Sequence, residues 1–348
     1  MKKKRKISIK DISKELGIST TTISFIINNK AKNRISKEVI EKVEDYIEKV
    51  GYKPNTTAQT LRTGKSKTIV FMAEDISDPF FSAIAKEMEE IAFENGYKII
   101  YCSTENKKER ALELLDLFKD RQVDAFIITP PEGFKDEMEK LIRENKQAVM
   151  VFDRYYDDFE HNYVVLDNLA SSTRATRYLL DNGFQNVGFV GLKSDISPTL
   201  ERLQGYQQVM AENGQKDRSV LIPFDEVKTL TGRKKIYDFI KRNPQIDSLL
   251  FATNSLAISG LKTLKEMSLK IPEDVSVLTF DDRDLFELYS PPISVISQPV
   301  SQLANELIKG TLNLLESDFK ESSKFRKVLK GQLIERISSS RVSENNSI

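Results

Sequence analysis

Several polar side chains in this 348-residue sequence occur where a small ligand could be bound. They are Asp75 to Asp78, Asp153-Arg154, Arg202, Asn254 and Asp281-Asp282, and they lie at or near the ends of short apolar segments. Those segments are typical of buried β-strands in a parallel sheet, where a ligand lies beyond the carboxyl ends of the strands. Carboxylates accept hydrogen bonds from hydroxyl groups, and a guanidinium presents several N–H donors in one plane. The set therefore suits a polyhydroxylated ligand such as a sugar.

The same sequence offers little for catalysis or for a metal. Cys102 and His161 are the only residues of their types, which excludes an internal disulfide and zinc sites of the Cys/His type. No phosphate-binding loop or nucleotide fingerprint is present. Asp281 and Asp282 are adjacent at a predicted strand end, so their side chains point to opposite sides and make a poor acid–base pair. We expect no enzyme activity, no cofactor and no metal.

The apolar segments alternate with helical patterns over most of the chain. Strands are predicted at 68–75, 97–104, 123–130, 148–153, 186–192, 219–222, 248–253, 275–282 and 293–296, with helices between most of them. Such alternation is typical of parallel, doubly wound sheets. Two sheets of this kind predict a body of two lobes with a cleft between them.

The first part of the chain differs in charge from the rest. Residues 1–67 hold 17 Lys and Arg against 7 Asp and Glu, an excess of 10 positive charges, whereas the net charge of the whole chain is +1. A basic head on an acidic body indicates a polyanionic partner for the head. A solvated basic tail would give the same balance.

Three helices are predicted in this basic head. Ser8 and Asp11 form a capping-box pattern, and Gly17 ends the helix that follows. A second helix extends to about Asn28, and a third from Ser36 to Gly51, each with apolar residues at helical spacing. Two short helices joined by a tight turn and braced by a third form a helix-turn-helix, whose second helix enters the DNA major groove.

The second helix of this motif is suited to contact DNA. Thr20 and Thr21 place hydroxyl and methyl groups at its N-terminus, within reach of base edges, phosphates or thymine methyl groups. Phe25 lies one turn further along the same face, where its ring makes only apolar contact. Alternatively, the threonines only cap the helix and Phe25 is an exposed aromatic residue.

In its head, the chain resembles the lactose/purine/galactose repressor (LacI-type) family of bacterial transcription regulators. The matching positions are Ser8-Ile9-Lys10-Asp11-Ile12, Gly17-Ile18-Ser19, Thr22-Ile23-Ser24, Asn28, Gly51-Tyr52, Pro54-Asn55, Ala58, Leu61-Arg62 and Gly64. The DNA-binding residues that the resemblance implies, together with the threonines above, are Ser19, Thr20, Thr21, Thr22, Ser24, Phe25, Asn28, Asn55, Ala58, Leu61 and Arg62. Family members often carry Arg or His in place of Phe25, so the operator is expected to differ at that half-site position.

The resemblance also implies how two heads pair on DNA. In the family, the segment that matches Pro54 to Leu61 is a hinge helix that folds on DNA, and two such helices lie in the minor groove. The residue that matches Leu61 wedges between base steps, as apolar side chains that bend a duplex do. A homodimer on a pseudo-palindromic operator is therefore expected.

The resemblance continues through the body to about residue 340 and implies a fold like that of the periplasmic sugar-binding proteins. Family motifs match DISDPFF (75–81), FDR (152–154), ERLQGY (201–206), ATNSLAISG (252–260) and FDD (280–282). The implied effector-binding residues are Asp78, Phe80, Phe81, Asp153, Arg154, Arg202, Asn254 and Asp281. Asp78 stands where the family usually has Asn, which exchanges a donor for a charge.

The predicted fold is an all-α helix-turn-helix head followed by an α/β two-lobed, periplasmic-binding-protein-like body with two doubly wound parallel sheets. The boundaries are 1–53 for the head, 54–66 for the hinge helix and linker, 67–340 for the body and 341–348 for a disordered tail. Within the body, 67–165 and 298–322 are assigned to the first lobe, and 166–297 and 323–340 to the second.

The expected function is that of a cytoplasmic, sequence-specific transcription regulator, usually a repressor. Its partners would be double-stranded DNA, a sugar or sugar-acid effector and a second copy of the chain. No membrane is expected, because the sequence has neither a long apolar run nor a secretory signal. A sugar-binding protein without a regulatory DNA function is the alternative. Open questions are the effector's identity, whether it releases DNA or promotes DNA binding, and whether assemblies larger than a dimer form.

Overall fold

The computed structural model describes residues 7–27, 31, 34–52, 64–144, 147–316 and 324–341. The chain divides into two units, Met1–Ser66 and Lys67–Ile348, each described by itself. Five predicted DNA-binding residues, Asn28, Asn55, Ala58, Leu61 and Arg62, lie outside the described residues. Most of the predicted hinge segment and the tail from residue 342 also lie outside them.

The first unit contains the three predicted helices, which are α1 (Ile9–Leu16), α2 (Thr20–Ile27) and α3 (Lys37–Val50). The capping box at α1 is present, because the Ser8 hydroxyl accepts the Asp11 N–H and the Asp11 carboxylate accepts the Ser8 N–H. Gly17 ends α1 with φ of 69°, which glycine adopts without steric cost. One fully buried side chain from each helix, Ile12, Ile23 and Val43, contributes to the core of the unit. The prediction of a helix-turn-helix is confirmed.

The second unit contains two six-stranded sheets. Its strands are β1 (Thr68–Ala73), β2 (Lys98–Ser103), β3 (Ala125–Ile128), β4 (Ala148–Phe152), β5 (Tyr163–Leu166), β6 (Val187–Leu192), β7 (Ser219–Ile222), β8 (Ser248–Phe251), β9 (Ser276–Phe280), β10 (Ser294–Ser297), β11 (Arg326–Leu329) and β12 (Gln332–Ile334). The first sheet has the order β11-β5-β4-β3-β1-β2 and the second has the order β12-β10-β9-β8-β6-β7. Each sheet is the centre of one lobe.

Helices cover both sheets. They are α4 (Pro79–Glu94), α5 (Lys108–Asp120), α6 (Lys135–Arg143), α7 (Asn168–Asp181), α8 (Ser197–Glu212), α9 (Leu230–Arg242), α10 (Asn254–Glu266), α11 (Asp284–Leu288) and α12 (Val300–Glu316). The central strands β3, β4, β8 and β9 are buried along their whole length, as strands covered on both faces must be. Within the described residues, no helix combines the length and apolar character needed to cross a membrane.

Among the described residues, the strand pairs are parallel with one exception, so the prediction of doubly wound parallel sheets is confirmed for all but one edge. Strand β12 pairs with β10 in the antiparallel sense, whereas β11 pairs with β5 in the parallel sense. Only Lys330 and Gly331 separate β11 from β12. The parallel strands of both sheets run toward the space between the lobes. The chain follows this direction in β11 and continues straight into the second lobe, so β12 runs opposite to the strands of the second sheet.

The lobe boundary differs from the prediction at the end of the chain. Residues 323–340 were expected to belong wholly to the second lobe, but β11 is the edge strand of the first sheet. The chain thus crosses between the lobes after β5, after β10 and between β11 and β12. Two of these crossings are tied together, because the Asp167 carboxylate accepts the Gly331 N–H at 2.9 Å.

Strand β5 and helix α7 were missing from the sequence prediction. The apolar run of β5 is only four residues long. The buried face of α7 includes Asn168, Ser171, Ser172 and Thr176, so the spacing of its apolar residues gives only a weak helical signal. These small polar residues allow α8 to approach closely, and a Cβ added to Gly205 of α8 would lie 2.5 Å from the carbonyl oxygen of Leu169 in α7.

We therefore predict that Gly205→Ala destabilises the body. The added methyl group cannot be accommodated against backbone unless α7 and α8 move apart, and overpacking of this kind costs about 1–3 kcal/mol. Urea unfolding of the full-length chain measures the change. Gln204→Ala, at the exposed neighbouring position on α8, is the matched control and should leave the unfolding midpoint almost unchanged. Equal midpoints for the two variants would contradict the close packing.

Candidate functional site

The N-terminus of α2 presents the predicted DNA-contacting hydroxyl groups. Ser19 caps this helix, because its hydroxyl oxygen accepts the Thr22 N–H at 3.1 Å and lies 2.8 Å from the Thr22 hydroxyl. Thr20 and Thr21 are exposed beside this cap. The hydroxyl groups of Ser19 and Thr22 are therefore used in capping the helix, whereas Thr20 and Thr21 face outward.

Ile23 and Ile26 fix the orientation of α2, because both are buried in the core of the head. Ser24 and Phe25 are both partly exposed. The prediction of an exposed Phe25 is thus correct only in part, since part of the ring surface is covered. The accessible remainder can still make the apolar contact that the sequence analysis assigned to it.

A cavity of about 670 Å³ lies between the two lobes of the body. It is lined by all eight residues predicted to bind an effector, which are Asp78, Phe80, Phe81, Asp153, Arg154, Arg202, Asn254 and Asp281. These residues come from five separate segments of the chain, and in each case they follow a strand or lie in the first turns of a helix. The volume falls in the usual range for small-molecule sites.

Two aspartates occupy equivalent positions in the two lobes. Asp153 directly follows β4 and Asp281 directly follows β9. Both have left-handed backbone conformations, with φ of 66° and 67° respectively. Asp and Asn tolerate this conformation better than other residues with a side chain, and such conformations are concentrated at functional sites. Each lobe thus turns its chain sharply at the cavity wall and places a carboxylate there.

Asp281 is held by hydrogen bonds from two other residues of the site. The Gln298 side-chain amide donates to its Oδ1 at 2.6 Å, and the Asn254 N–H lies 3.4 Å from its Oδ2. Asn254 also contacts the first lobe, because its Nδ2 lies 3.4 Å from Oδ1 of Asp78. Asp78 in turn caps α4 by accepting the Phe80 N–H at 3.0 Å. This chain of contacts connects the two lobes across the cavity.

Both cavity arginines are engaged by the protein. Arg154 donates through Nη1 to Asn106 and to the Pro130 carbonyl, each at 2.7 Å, and pairs through Nη2 with Glu74. Its Nε has no hydrogen-bond partner among the described residues and lies 3.8 Å from the Asp153 carboxylate. Little of this guanidinium is left for a ligand, because Nε is buried and Nη1 and Nη2 contact the first lobe. A role of Arg154 in effector binding stays a prediction.

Arg202 is held in a similar way in the second lobe. It donates through Nε to Asn168 at 2.8 Å and through Nη1 to the Ala252 carbonyl at 2.6 Å. Its guanidinium carbon lies 4.2 Å from the centre of the Phe280 ring, a cation–π contact. Nη2 is the one nitrogen of this guanidinium for which the described residues show no hydrogen bond.

Two carboxylates that line the cavity, Asp78 and Asp153, are destabilised in their charged form. Burial raises the pKa of Asp153 to about 7; Arg202 opposes the increase, and the Asp281 carboxylate adds to it. Burial also raises the pKa of Asp78, with a further contribution from Asp281, against the hydrogen bond from Phe80 and the charge of Arg283. The negative charges are close enough to repel one another in a site shielded from water.

Some residues of the cavity were missing from the prediction. Gln298 holds Asp281 and lies directly after β10, and Glu74 holds Arg154 and lies directly after β1. The rule that selected the other strand-end residues would have selected both. Phe224 and Lys228 also line the cavity, after β7.

Two groups that could suggest catalysis have structural partners. Asp282 turns away from Asp281 and pairs with Arg336, whose two terminal nitrogens each lie 2.8 Å from a carboxylate oxygen. His161 is buried, its Nδ1 lies 3.0 Å from the Phe159 carbonyl, and burial lowers its pKa.

The fold and the cavity define a class of protein in which a helix-turn-helix head and a two-lobed ligand-binding body share one chain. Two family models match this division. The model described as bacterial regulatory proteins of the lacI family matches residues 8–55. The model described as periplasmic binding proteins and sugar binding domain of the LacI family matches residues 65–328.

Individual proteins match over nearly the whole chain. The transcriptional regulator RegA of Clostridium saccharobutylicum is 29% identical over 94% of this chain and 98% of its own length. The transcriptional repressor PurR of Actinobacillus pleuropneumoniae is 27% identical over 89% of this chain and 92% of its own. The Lac repressor dimer bound to operator and the anti-inducer ONPF matches with a TM-score of 0.84 at 18% identity, covering 97% of this chain and 100% of that one.

The chain belongs to the LacI family. It is a helix-turn-helix transcription regulator with a sugar-binding-type domain, and its named relatives are regulators and repressors of transcription.

The raised pKa of Asp153 predicts a pH-dependent stability. An unfolded aspartate has a pKa of about 4, so between about pH 4 and about pH 7 the folded chain holds a proton that the unfolded chain has released. This group therefore contributes stability at low pH that is lost as the pH rises through the folded pKa. Asp153→Asn removes the effect and keeps a residue that tolerates the left-handed backbone.

The quantity to measure is the difference in free energy of unfolding between Asp153→Asn and wild type, by urea denaturation from about pH 5 to about pH 8. As the pH rises over this range, we expect the stability of the variant relative to wild type to increase by more than about 1 kcal/mol. Other titrating groups cancel in the difference. A difference that stays constant with pH would contradict the raised pKa.

Proposed function

We propose that this regulator acts as a homodimer on a pseudo-palindromic operator and that a sugar-type effector in the body cavity sets its affinity for DNA. The observation that carries the proposal is the convergence of five separate chain segments on one cavity between the lobes. The relative solved as a Lac repressor dimer on its operator supports the dimer and the operator for a chain of this fold.

A ligand in this cavity is suited to change the relation between the lobes. Residues of both lobes line it, and contacts such as Asn254 with Asp78, and Lys228 with Asp75 at 3.4 Å, already cross it. The polypeptide crosses between the lobes three times, and the Asp167–Gly331 hydrogen bond ties two of these crossings together. Filling the cavity would favour one arrangement of the lobes, and operator affinity would be coupled to that two-state change.

The cavity is proposed to bind its ligand without chemical change. The adjacent Asp281 and Asp282 cannot act together on one substrate, which both would have to face, because Asp282 is paired with Arg336 on the other side of the chain. The buried His161 does not line the cavity. Binding, followed by a conformational response, is the role that this geometry favours over turnover.

Selection of DNA from a random pool with the full-length protein tests the operator. We expect an enriched palindrome with a central pyrimidine–purine step, because such a step is opened easily by an apolar wedge and Leu61 is the proposed wedge. The selection is run at a fixed salt concentration, with and without a pool of sugars and sugar acids. Failure to enrich any site under both conditions would contradict the proposal.

The same selection tests Phe25. Repeating it with Phe25→Arg should change the preference at one half-site position from thymine, whose methyl group an aromatic ring can contact, to guanine. The rest of the half-site should stay the same, since Thr20 and Thr21 are unchanged. Identical half-sites for the two proteins would show that Phe25 does not contact a base.

Substitution of Asp281 tests the effector site. Asp281→Asn should weaken the response of operator binding to an active ligand by at least about tenfold in ligand concentration, as expected for loss of a hydrogen bond to a charged group. Operator affinity without ligand should remain at the wild-type value. Asn is preferred to Ala here because Ala would add strain at a φ of 67°. Operator titrations at increasing ligand concentration provide the measurement, and an unchanged ligand dependence would remove Asp281 from the site.

A further inference from the structure

The cavity carries an excess of negative charge. Of the described residues that line it, the acidic ones are Glu74, Asp75, Asp78, Glu105, Glu132, Asp153, Asp225 and Asp281, and the basic ones are Lys107, Arg154, Lys193, Arg202 and Lys228. This is an excess of three carboxylates. Several of these charges are paired, namely Glu74 with Arg154, Glu105 with Lys107, and Asp75 with Lys228. Asp153 also has a cation nearby, because Nε of Arg154 lies 3.8 Å from its carboxylate.

The negative charges that remain are close together. Asp78 and Asp281 both lie within 3.4 Å of atoms of Asn254, one from each lobe. The Asp281 carboxylate also influences Asp153, whose pKa it raises. The carboxylates of Asp78, Asp153 and Asp281 therefore lie near one region of the cavity. Burial is the main cause of the raised pKa values of Asp78 and Asp153, and the charge of Asp281 adds to both.

Both cavity arginines use part of their hydrogen-bonding capacity within the protein. Recognition of a carboxylate by arginine commonly uses two parallel N–H donors of one guanidinium. Arg154 uses Nη1 and Nη2 within its own lobe, and Arg202 uses Nε and Nη1. Three N–H groups of Arg202 remain, two on Nη2 and one on Nη1, but this guanidinium lies near Asp153. The charge of a sugar acid would therefore meet carboxylates as well as this one cation.

We propose that the effector is an amino sugar, whose protonated amine binds among Asp78, Asp153 and Asp281. The proposal rests on the proposed function, because it names the chemical class of the ligand for the same cavity. The ammonium group would donate up to three hydrogen bonds, one for each carboxylate. Its charge would relieve the repulsion among them.

The aromatic residues of the cavity are suited to the rest of such a ligand. Phe80 is partly exposed and stacks on Phe152 at 5.9 Å, which holds its ring in place. Phe224, from the second lobe, is 36% exposed. An aromatic face packs against the apolar face of a sugar ring and attracts a nearby ammonium group. A hydroxyl group of the sugar can accept a hydrogen bond from Nη2 of Arg202, for which the described residues show no partner.

The test is a set of matched ligands in which only the charge differs. The full-length protein is titrated by calorimetry with 2-amino hexoses, the parent hexoses and the corresponding uronic acids in the gluco, galacto and manno configurations. In at least one configuration, we expect the amine to bind about tenfold more tightly than the neutral sugar, the difference between hydrogen bonds to charged and to neutral groups. The uronic acid should bind most weakly.

The outcomes separate the two proposals. A neutral sugar or uronic acid that binds as tightly as the amine, and that changes operator affinity, would overturn the amino-sugar proposal and leave the proposed function in place. If no member of the set binds and none changes operator affinity, the amino-sugar proposal is overturned. That result would also count against a sugar effector.

A charge variant provides a second measurement with the amine that binds. Asp78→Asn keeps a residue that caps α4 well but removes one of the three charges. The preference for the amine over its parent hexose should fall several-fold. Asp284→Asn removes a charge at an exposed position outside the cavity lining and should leave the preference unaltered. Equal preferences in all three proteins would overturn the assignment of the ammonium site.

Discussion

The structure of the body depends on one geometric constraint, which is that two parallel sheets point the carboxyl ends of their strands at the same space. A turn with polar side chains follows the end of each strand. Two sets of such residues, one from each lobe, therefore face each other across a cavity. The chain must then cross between the lobes, and it does so three times. The reversal of β12 relative to β10 follows from this arrangement, since a chain leaving one sheet toward the cavity enters the other sheet against the direction of its strands.

Support for the cavity wall comes from close packing of helices rather than from large apolar side chains. Arg202 lies on α8, and its position is fixed by Asn168 at the start of α7. The Ser172 hydroxyl of α7 also donates a hydrogen bond to the Arg202 carbonyl of α8 at 2.5 Å. Gly205 permits this approach. A cluster of small polar residues thus determines where a cationic group meets the cavity.

Sequence reasoning located the parts of the protein that follow general rules. Strand ends and the first turns of helices gave eight residues that line the cavity, and capping residues gave the boundaries of the head helices within a few positions. The prediction was weakest where no local sequence pattern indicates the structure. The buried face of α7 is polar, so its helical period was not visible in the apolar residues. The pairing of β11 with the first sheet is a long-range choice that local pattern does not determine.

The partners of the cavity residues were less predictable than their positions. Arg154 was correctly expected at the cavity, but its engagement by Glu74, Asn106 and Pro130 depends on three loops that come together only in the folded lobe. A residue type indicates what a side chain can bind. Only the surrounding structure decides whether that capacity is already used.

The left-handed backbone at Asp153 and Asp281 also limits how the specificity of this cavity can evolve. At φ values near 66°, Asn and Gly are the replacements with little strain, so these two positions can lose their charge but cannot acquire a longer side chain. Asp78 is restricted by its role as a helix cap, which favours Asp, Asn, Ser and Thr. Divergence among descendants of this protein would therefore switch the charge at these three positions, while changes in the size of the accepted ligand would have to arise at unrestricted wall residues such as Phe224.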